Sequence, residues 1–386
     1  MIPQEMLHQK PIDLRHKCLF YIGHIPTFLD MLMSKALKEP HTEPKNFTVI
    51  FESHSEVPEK DEDWPTLTTI LSFRDRVRAR LLKLYEDFKS GHRTLNRHLA
   101  RMLVMTLEHE GWHVETLLYM LIQRAGTGTL PPPGFTVPPW EALASQWNAT
   151  TRPPSTPTVT LGPTTITLGH GDSEGDDFAP GVAGDVEGHA FGWDNESPAR
   201  AVEVAQFKVE WRPITNAEYL AFWETHREVA MPPSWVQEED GMKVRTLYGP
   251  VPMSIAQHWP VLTSYDGLSA YATSKGGRLP TAPELPLLAT NWHPVPATTG
   301  CEELGGRGSN GGVWEWTSTL LSGHDGLVPT KHFAGYSTDF FDEKHHVALG
   351  ASYATIPRIA GRRTVRNFYQ HNYPYPWVGA RVVYDV

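Results

Sequence analysis

The chain has 386 residues, of which 40% are hydrophobic and 20% charged, a globular composition with room for two ordinary domains. A formal charge of −10, from 34 basic and 44 acidic residues, and the lack of a dense Lys/Arg stripe exclude phosphate-backbone binding, so no nucleic acid is expected as a partner. Two cysteines, Cys18 and Cys301, make neither a disulfide framework nor a cysteine-rich zinc module, and they predict a reducing compartment, the cytoplasm. Residues 1–16 are polar, so no signal peptide is expected, and no run of 18 apolar residues predicts a membrane span.

In chain order, the first third reads as helical. A helix is predicted over Leu14–Lys38, with Gly23 and Pro26 forecasting a kink or break near His24. Leu71–Lys89 repeats apolar residues near a 3.6-residue period. Thr94–Ala125 is longer and more strongly patterned, with Thr94 as its cap and Gly126 as its stop. These helices, with a short fourth, predict an up-and-down bundle over residues 1–126. The proline-rich Leu130–Trp140 cannot continue a helix, so 127–158 is expected to be a stiff linker. Val159–Leu161 and Thr165–Leu168 flank a Gly-Pro turn and predict a hairpin; helices are expected over Asn216–His226 and Tyr265–Lys275. The remainder of 159–386, rich in Gly, Pro and Trp with brief apolar runs, predicts a compact α+β domain.

His109 and His113 stand four apart on the long helix, so both imidazoles share the stripe of Met102, Thr106, Leu117 and Met120 that a bundle buries. Such a pair is commonly plain core packing, and a metal site needs a third ligand. His24, in Tyr21-Ile22-Gly23-His24-Ile25-Pro26, is the candidate from the first helix. A neutral three-histidine set leaves the metal its full charge and adjacent open positions, which suits dioxygen chemistry with a bound thiolate; a structural zinc site is closed. The spacing alone does not select iron over zinc. His109-Glu110-Gly111-Trp112-His113 also spells H-E-x-x-H, but Glu110 points about 100° from His109. The third histidine of the metzincins is replaced by Tyr119, and nothing else resembles a protease.

Together the segments FYIGHIPTFLD (20–30), TLEHEGWHVETLLYMLIQ (106–123), VTLGPTTITLGHGD (159–172), FGWDNESP (191–198), PITNAEYLAF (213–222), GGRLPT (276–281), GGVWEWTS (311–318), GASYATIPR (350–358) and RNFYQHNYPYPWVGARVVYD (366–385) resemble the non-haem iron sulfoxide synthases of ergothioneine biosynthesis, in wording most like the fungal branch. The resemblance implies a DinB-like helical bundle followed by a domain of the formylglycine-generating-enzyme kind, a C-type-lectin-like fold. It further implies Fe(II) held by His24, His109 and His113. O2 is then the co-substrate, and a thiol is coupled to the imidazole C2 of hercynine, leaving a sulfoxide. The site is expected between the domains, with both substrates ligating the iron side by side.

Carried over by position, Asn367 matches an Asn near the hercynine carboxylate and Phe368 an aromatic that is usually Trp. Trp112 stands where bacterial members have a substrate-binding Gln, whose accepting oxygen an indole lacks. Tyr369 and Tyr373 replace an Asp and an Arg that hold a γ-glutamyl peptide, and Trp64-Pro65 replaces another Arg, which favours free cysteine as the thiol. The catalytic tyrosine is assigned to Tyr336. Aromatic faces for the trimethylammonium are expected from Trp112, Phe368, Tyr369 and Trp377. Trp112 and His371 are further candidates for a changed substrate. Alternatives on the same scaffold are ovothiol-type coupling of histidine at C5, a selenium donor, cysteine dioxygenation, and a ligand-binding protein. Formylglycine generation is excluded, because the terminal segment lacks the paired cysteines that bind its copper. The chain begins almost at the bundle, so either a separate methyltransferase is expected to supply hercynine or the chain is an excised or specialised copy.

Overall fold

The structure, a computed structural model, describes residues 1–52, 57–123, 129, 131–150, 156–287 and 310–386. The bundle contains α1 (Cys18–Leu37), the short α2 (Phe47–Ile50), α3 (Leu67–Lys89) and α4 (Arg97–Gln123), with α1 packed against both α3 and α4. Ile70, Phe73, Val77 and Leu84 of α3 recur at helical spacing and are buried, the first three closing a core with Phe20, Phe51 and Met120 and Leu84 joining Phe28, Leu99 and Met102. Thr66 caps α3, accepting from Thr69 N at 3.3 Å.

Several expectations about the bundle are corrected. The cap of α4 is Asn96, whose Oδ1 accepts from Leu99 N at 3.0 Å, two residues inside the forecast at Thr94. Ala125 and Gly126, the forecast end, lie outside the described residues. The first helix starts at Cys18 and not at Leu14, which has a φ of 60°. It also runs through Pro26 without a break. Gly23 serves close approach instead: a Cβ there would meet the Phe51 ring at 2.4 Å.

The stretch read as a linker carries an 11-residue helix, α5 (Trp140–Thr150), whose Trp140 and Trp147 rings pack on Trp259. Prolines end before it, so the segment gains a helix from its own apolar residues. Beyond it come β1 (Thr158–Leu161), β2 (Thr164–Leu168), β3 (Arg200–Val204), β4 (Phe207–Glu210), α6 (Asn216–Thr225), β5 (Trp235–Glu238), β6 (Gly241–Val244), β7 (Val251–Pro252), α7 (Met253–Ala256) and α8 (Tyr265–Ser274). After a segment holding Cys301, outside the described residues, follow β8 (Trp314–Leu320), β9 (His345–Gly350), α9 (Pro357–Ala360), β10 (Asn367–Gln370), β11 (Val378–Gly379) and β12 (Val383–Asp385).

β1 and β2 do not form the predicted hairpin. β1 pairs with β4 and β2 with β3, so two ribbons turn a corner together. Gly162, at φ 70°, makes that corner against Ala205 O, which a Cβ would approach to 2.6 Å. The sheet orders are β1-β4-β12, β2-β3, β5-β6-β7 and β10-β9-β8-β11, the last with β11 parallel to β8. Trp314 and Trp316 of β8 are fully buried and seat the second core with Tyr219, Trp235 and Tyr271. Among the described residues no helix is long and apolar enough to cross a membrane.

Candidate metal centre

Helix α4 organises the site because it presents two working faces. Arg97, Arg101, Glu108, Trp112 and Glu115 fall within an arc of about 60° at 3.6 residues per turn, and all meet the second domain. Arg97 and Arg101 bind Asp172, and Arg101 Nε donates to Asp177 at 2.7 Å. Glu108 accepts from Arg362 Nη1 and Nη2 at 2.6 and 2.8 Å, from Arg358 Nε at 2.9 Å and from Trp193 Nε1 at 2.9 Å. Glu115 accepts from Ser352 Oγ at 2.6 Å, Thr355 Oγ1 at 2.8 Å and Trp314 Nε1 at 2.8 Å. Burial pushes the Glu115 carboxyl up, against the pull of those three donors. Gly111 lets the domains touch there, since a Cβ would meet Ile356 Cδ1 at 2.5 Å.

About 100° further round α4, His109 and His113 face His24 of α1. The three Nε2 atoms stand 3.1, 3.0 and 3.0 Å from one another. His24 Nδ1 donates to the Phe51 carbonyl at 2.6 Å, so its proton is on Nδ1 and its Nε2 offers a bare lone pair. Burial, and then the neighbouring cationic forms, hold His109 and His113 well below the ordinary value, while burial takes His24 down to about 4. The His109 ring is clamped by Phe28, stacked at 3.6 Å.

Three neutral imidazoles aiming their nitrogens at one point fit a cation. Nitrogens at this spacing would serve together as ligands of one divalent cation, held by His24, His109 and His113. Among the described residues no carboxylate joins this group, so a divalent cation held there would keep its charge. A second group, His98, Asp177 and His332, comes within 4.8 Å, but Arg101 already occupies both Asp177 oxygens.

The remaining candidates fall in distinct places. The Trp112 ring lies against Trp314 at 5.7 Å, with its Nε1–H buried and unpartnered. Tyr336 stacks on Trp193 at 4.1 Å and stands 6.1 Å from Phe333, a ring that also packs edge-on against Phe28 and His109. Burial, then Glu196, Asp194 and Glu108, keep the Tyr336 hydroxyl protonated far above its usual range. Asn367 Nδ2 donates to Tyr369 OH at 3.0 Å, and Tyr373 OH donates to Tyr119 OH at 3.3 Å. Trp64 is buried in the bundle core, and His371 bonds Asp266 at 2.7 Å on a half-exposed surface.

The expected cage of four aromatic faces is not formed. Along β10 successive side chains point to opposite faces, so Phe368 meets Tyr336 and Phe340 while Tyr369 meets Trp316 and Tyr373. Trp377 stacks on Tyr353 at 4.5 Å, away from Trp112. Residues not anticipated from sequence are Glu108, Glu115, Trp193, Phe28 and Arg15. For the two glutamates a signal existed: charges seven apart beside an apolar helix stripe.

The DinB superfamily description matches residues 2–117, and that of the sulfatase-modifying factor enzyme 1-like domain matches 151–290. Over its whole length the chain is 34% identical to Ergothioneine biosynthesis protein 1 of Neurospora crassa, covering 56% of that protein. It is 33% identical to the Schizosaccharomyces pombe protein of the same name over 99% of the chain, covering 53% of that relative. Half of the chain (50%) aligns at 30% identity with 56% of the Hercynine oxygenase of Mycobacterium tuberculosis. The chain thus spans about half the length of these curated relatives.

Proposed function

The chain belongs to the ergothioneine-biosynthesis family that joins a DinB-superfamily domain to a sulfatase-modifying-factor-like domain, and from that premise we propose that it is an Fe(II)- and O2-dependent sulfoxide synthase. The reaction joins the sulfur of cysteine to the imidazole C2 of hercynine. The observation that carries this reading is the trio of Nε2 atoms 3.0–3.1 Å apart at the seam between the domains. His24, His109 and His113 would hold the iron, which when bound supplies the one-electron and dioxygen chemistry that no side chain offers.

The balance is simple. An S–H and a C2–H bond are lost, the C–S bond forms, one oxygen atom of O2 ends on sulfur and the other leaves as water. The chain's own residues position and protonate. Tyr336, held as a phenol by burial and neighbouring carboxylates, can release a proton or hydrogen atom toward the centre. Asn367 and Tyr369, linked at 3.0 Å, offer polar contacts to an amino-acid substrate, with Tyr373, Trp112 and Phe368 completing the walls. Neutral Tyr369 and Tyr373 and the buried Trp64 offer no charges for a γ-glutamyl group, which favours free cysteine. Hercynine, a trimethylated histidine, must come from a methyltransferase, and the reducing cytoplasm is the expected setting.

The test is anaerobic reconstitution with Fe(II), followed by air, hercynine and cysteine, with products read by mass spectrometry. A hercynylcysteine sulfoxide mass that vanishes in His109→Ala is the expected result. Cysteine sulfinate alone would assign a thiol dioxygenase instead. No oxygen consumption with any thiol–imidazole pair, despite bound iron, would overturn the enzyme reading.

A further inference from the structure

Arg15 precedes α1 and turns its guanidinium inward over the Tyr373 ring, 4.6 Å from the centroid. Its Nε and Nη2 donate to the Tyr119 hydroxyl at 3.3 and 3.2 Å, and its Nη1 donates to the Leu14 carbonyl at 3.2 Å. A guanidinium carries five N–H donors. Tyr119 takes the Nε edge and the Leu14 carbonyl one Nη1 hydrogen, so one N–H on each Nη remains to donate to an anion.

No carboxylate among the described residues pairs with Arg15. Arg101, Arg362 and Arg381, by contrast, are ion-paired, Arg101 with Asp172 and Asp177, Arg362 with Glu108 and Glu196, Arg381 with Glu315. Around Arg15 stand phenols instead, and burial pushes the hydroxyls of Tyr21 and Tyr373 up, so they supply no negative charge. Arg15 is half-buried, and a partly desolvated cation without a counter-ion is costly. The position is also specific. Tyr21, whose hydroxyl shares this pocket with Arg15, has its ring 5.5 Å from that of His113. Tyr119 lies six residues beyond His113 on α4, about 9 Å along the axis, a span that an amino acid anchored at the centre can bridge.

We propose that Arg15 is the counter-ion for the carboxylate of an α-amino-acid substrate at the three-histidine centre. This rests on the synthase reading, in which both the thiol and the imidazole substrate carry such a group. Arg15 therefore sets a requirement for an amino acid over its decarboxylated analogue.

The experiment measures binding by calorimetry to the anaerobic Fe(II) protein, using cysteine against cysteamine and hercynine against its decarboxylated analogue. Wild type should bind the acid of one pair about 10- to 100-fold more tightly, and the pair that shows the preference identifies whose carboxylate is held. Arg15→Gln should remove that preference by weakening the acid alone, and Arg15→Lys should restore part of it. The two losses should not add, since each removes one side of the same contact. The wild-type comparison needs no variant, so a poorly folded Arg15→Gln does not blunt it. Wild type with no preference in either pair, or Arg15→Gln weakening acid and analogue alike, would overturn the proposal while leaving the synthase reading intact. Wild type that binds neither cysteine nor hercynine would overturn both.

Discussion

Replacing Glu108 by alanine removes the carboxylate that ties α4 to the second domain. Its side chain is 1% exposed and accepts four hydrogen bonds, three of them from arginines. Breaking a buried pair by deleting one partner costs about 3–5 kcal/mol. Arg362 keeps Glu196, bonded at 2.8 and 2.9 Å, which places the loss toward the lower end of that range. The indole N–H of Trp193 is left buried without its acceptor, which adds about 1–3 kcal/mol to what Arg362 alone would lose. At about 2.1 cal/mol/K of unfolding entropy per residue, a total loss of about 4–6 kcal/mol lowers the melting temperature of a chain this long by roughly 5–7 °C. Arg358→Ala is the control, because that side chain is 37% exposed and can turn to water. It should cost under about 1 kcal/mol. Differential scanning calorimetry on the three proteins measures the difference. If Glu108→Ala melts no earlier than Arg358→Ala, the domain seam is not held by this cluster.

Four further outcomes follow from the same geometry. His109→Ala should weaken Co(II) binding by about 100-fold or more and erase its visible absorption bands, since one of three ligands is gone; retained bands would remove the centre from these residues. Gly111→Ala should destabilise by about 1–3 kcal/mol in urea, and Ile356→Ala in the same chain should return part of that loss, because the added methyl meets Ile356 Cδ1 at 2.5 Å; full additivity would refute the contact. Against the upward push of burial, the Arg101 hydrogen bonds and charge hold Asp172 down at about 2. With its folded value below the unfolded one, its stabilisation is complete above about pH 4 and is lost as the pH falls toward 2; Asp172→Asn should flatten that acid limb, and an unchanged limb would contradict the assignment. Tyr336→Phe should slow sulfoxide formation by about 100-fold or more while leaving metal affinity unchanged, and unaltered turnover would remove Tyr336 from the reaction.

What could be read from the chain was what repeats with a helical period. His109 and His113 four apart, on a stripe with Met102 and Met120, announced a buried face, and the structure brings His24 to meet them. The same periodicity held the opposite information one face over, where Arg97, Arg101, Glu108 and Glu115 look like solvated charges until their partners 70 to 250 residues away are known. Local signals failed where a distant group overruled them. Gly23 and Pro26 suggest a broken helix, yet the Phe51 ring fills the notch that Gly23 leaves, and α1 stays whole. A Gly-Pro turn between two short strands suggests a hairpin, yet β3 and β4 capture one strand each. Aromatics adjacent in sequence suggest one cage, whereas the pleat of β10 sends Phe368 and Tyr369 to opposite sides. Arg15 was silent in the sequence because its meaning lies in a missing partner.

Because α4 carries the two imidazoles that face His24 on one side and the domain-binding charges on the next, a cation held at the three histidines and the docked second domain would share one helix. Linkage makes their coupling reciprocal. Whatever free energy docking of the second domain would lend to such a cation, the cation would return to docking in equal measure. Loosening the seam would then weaken cation binding, even with every histidine untouched.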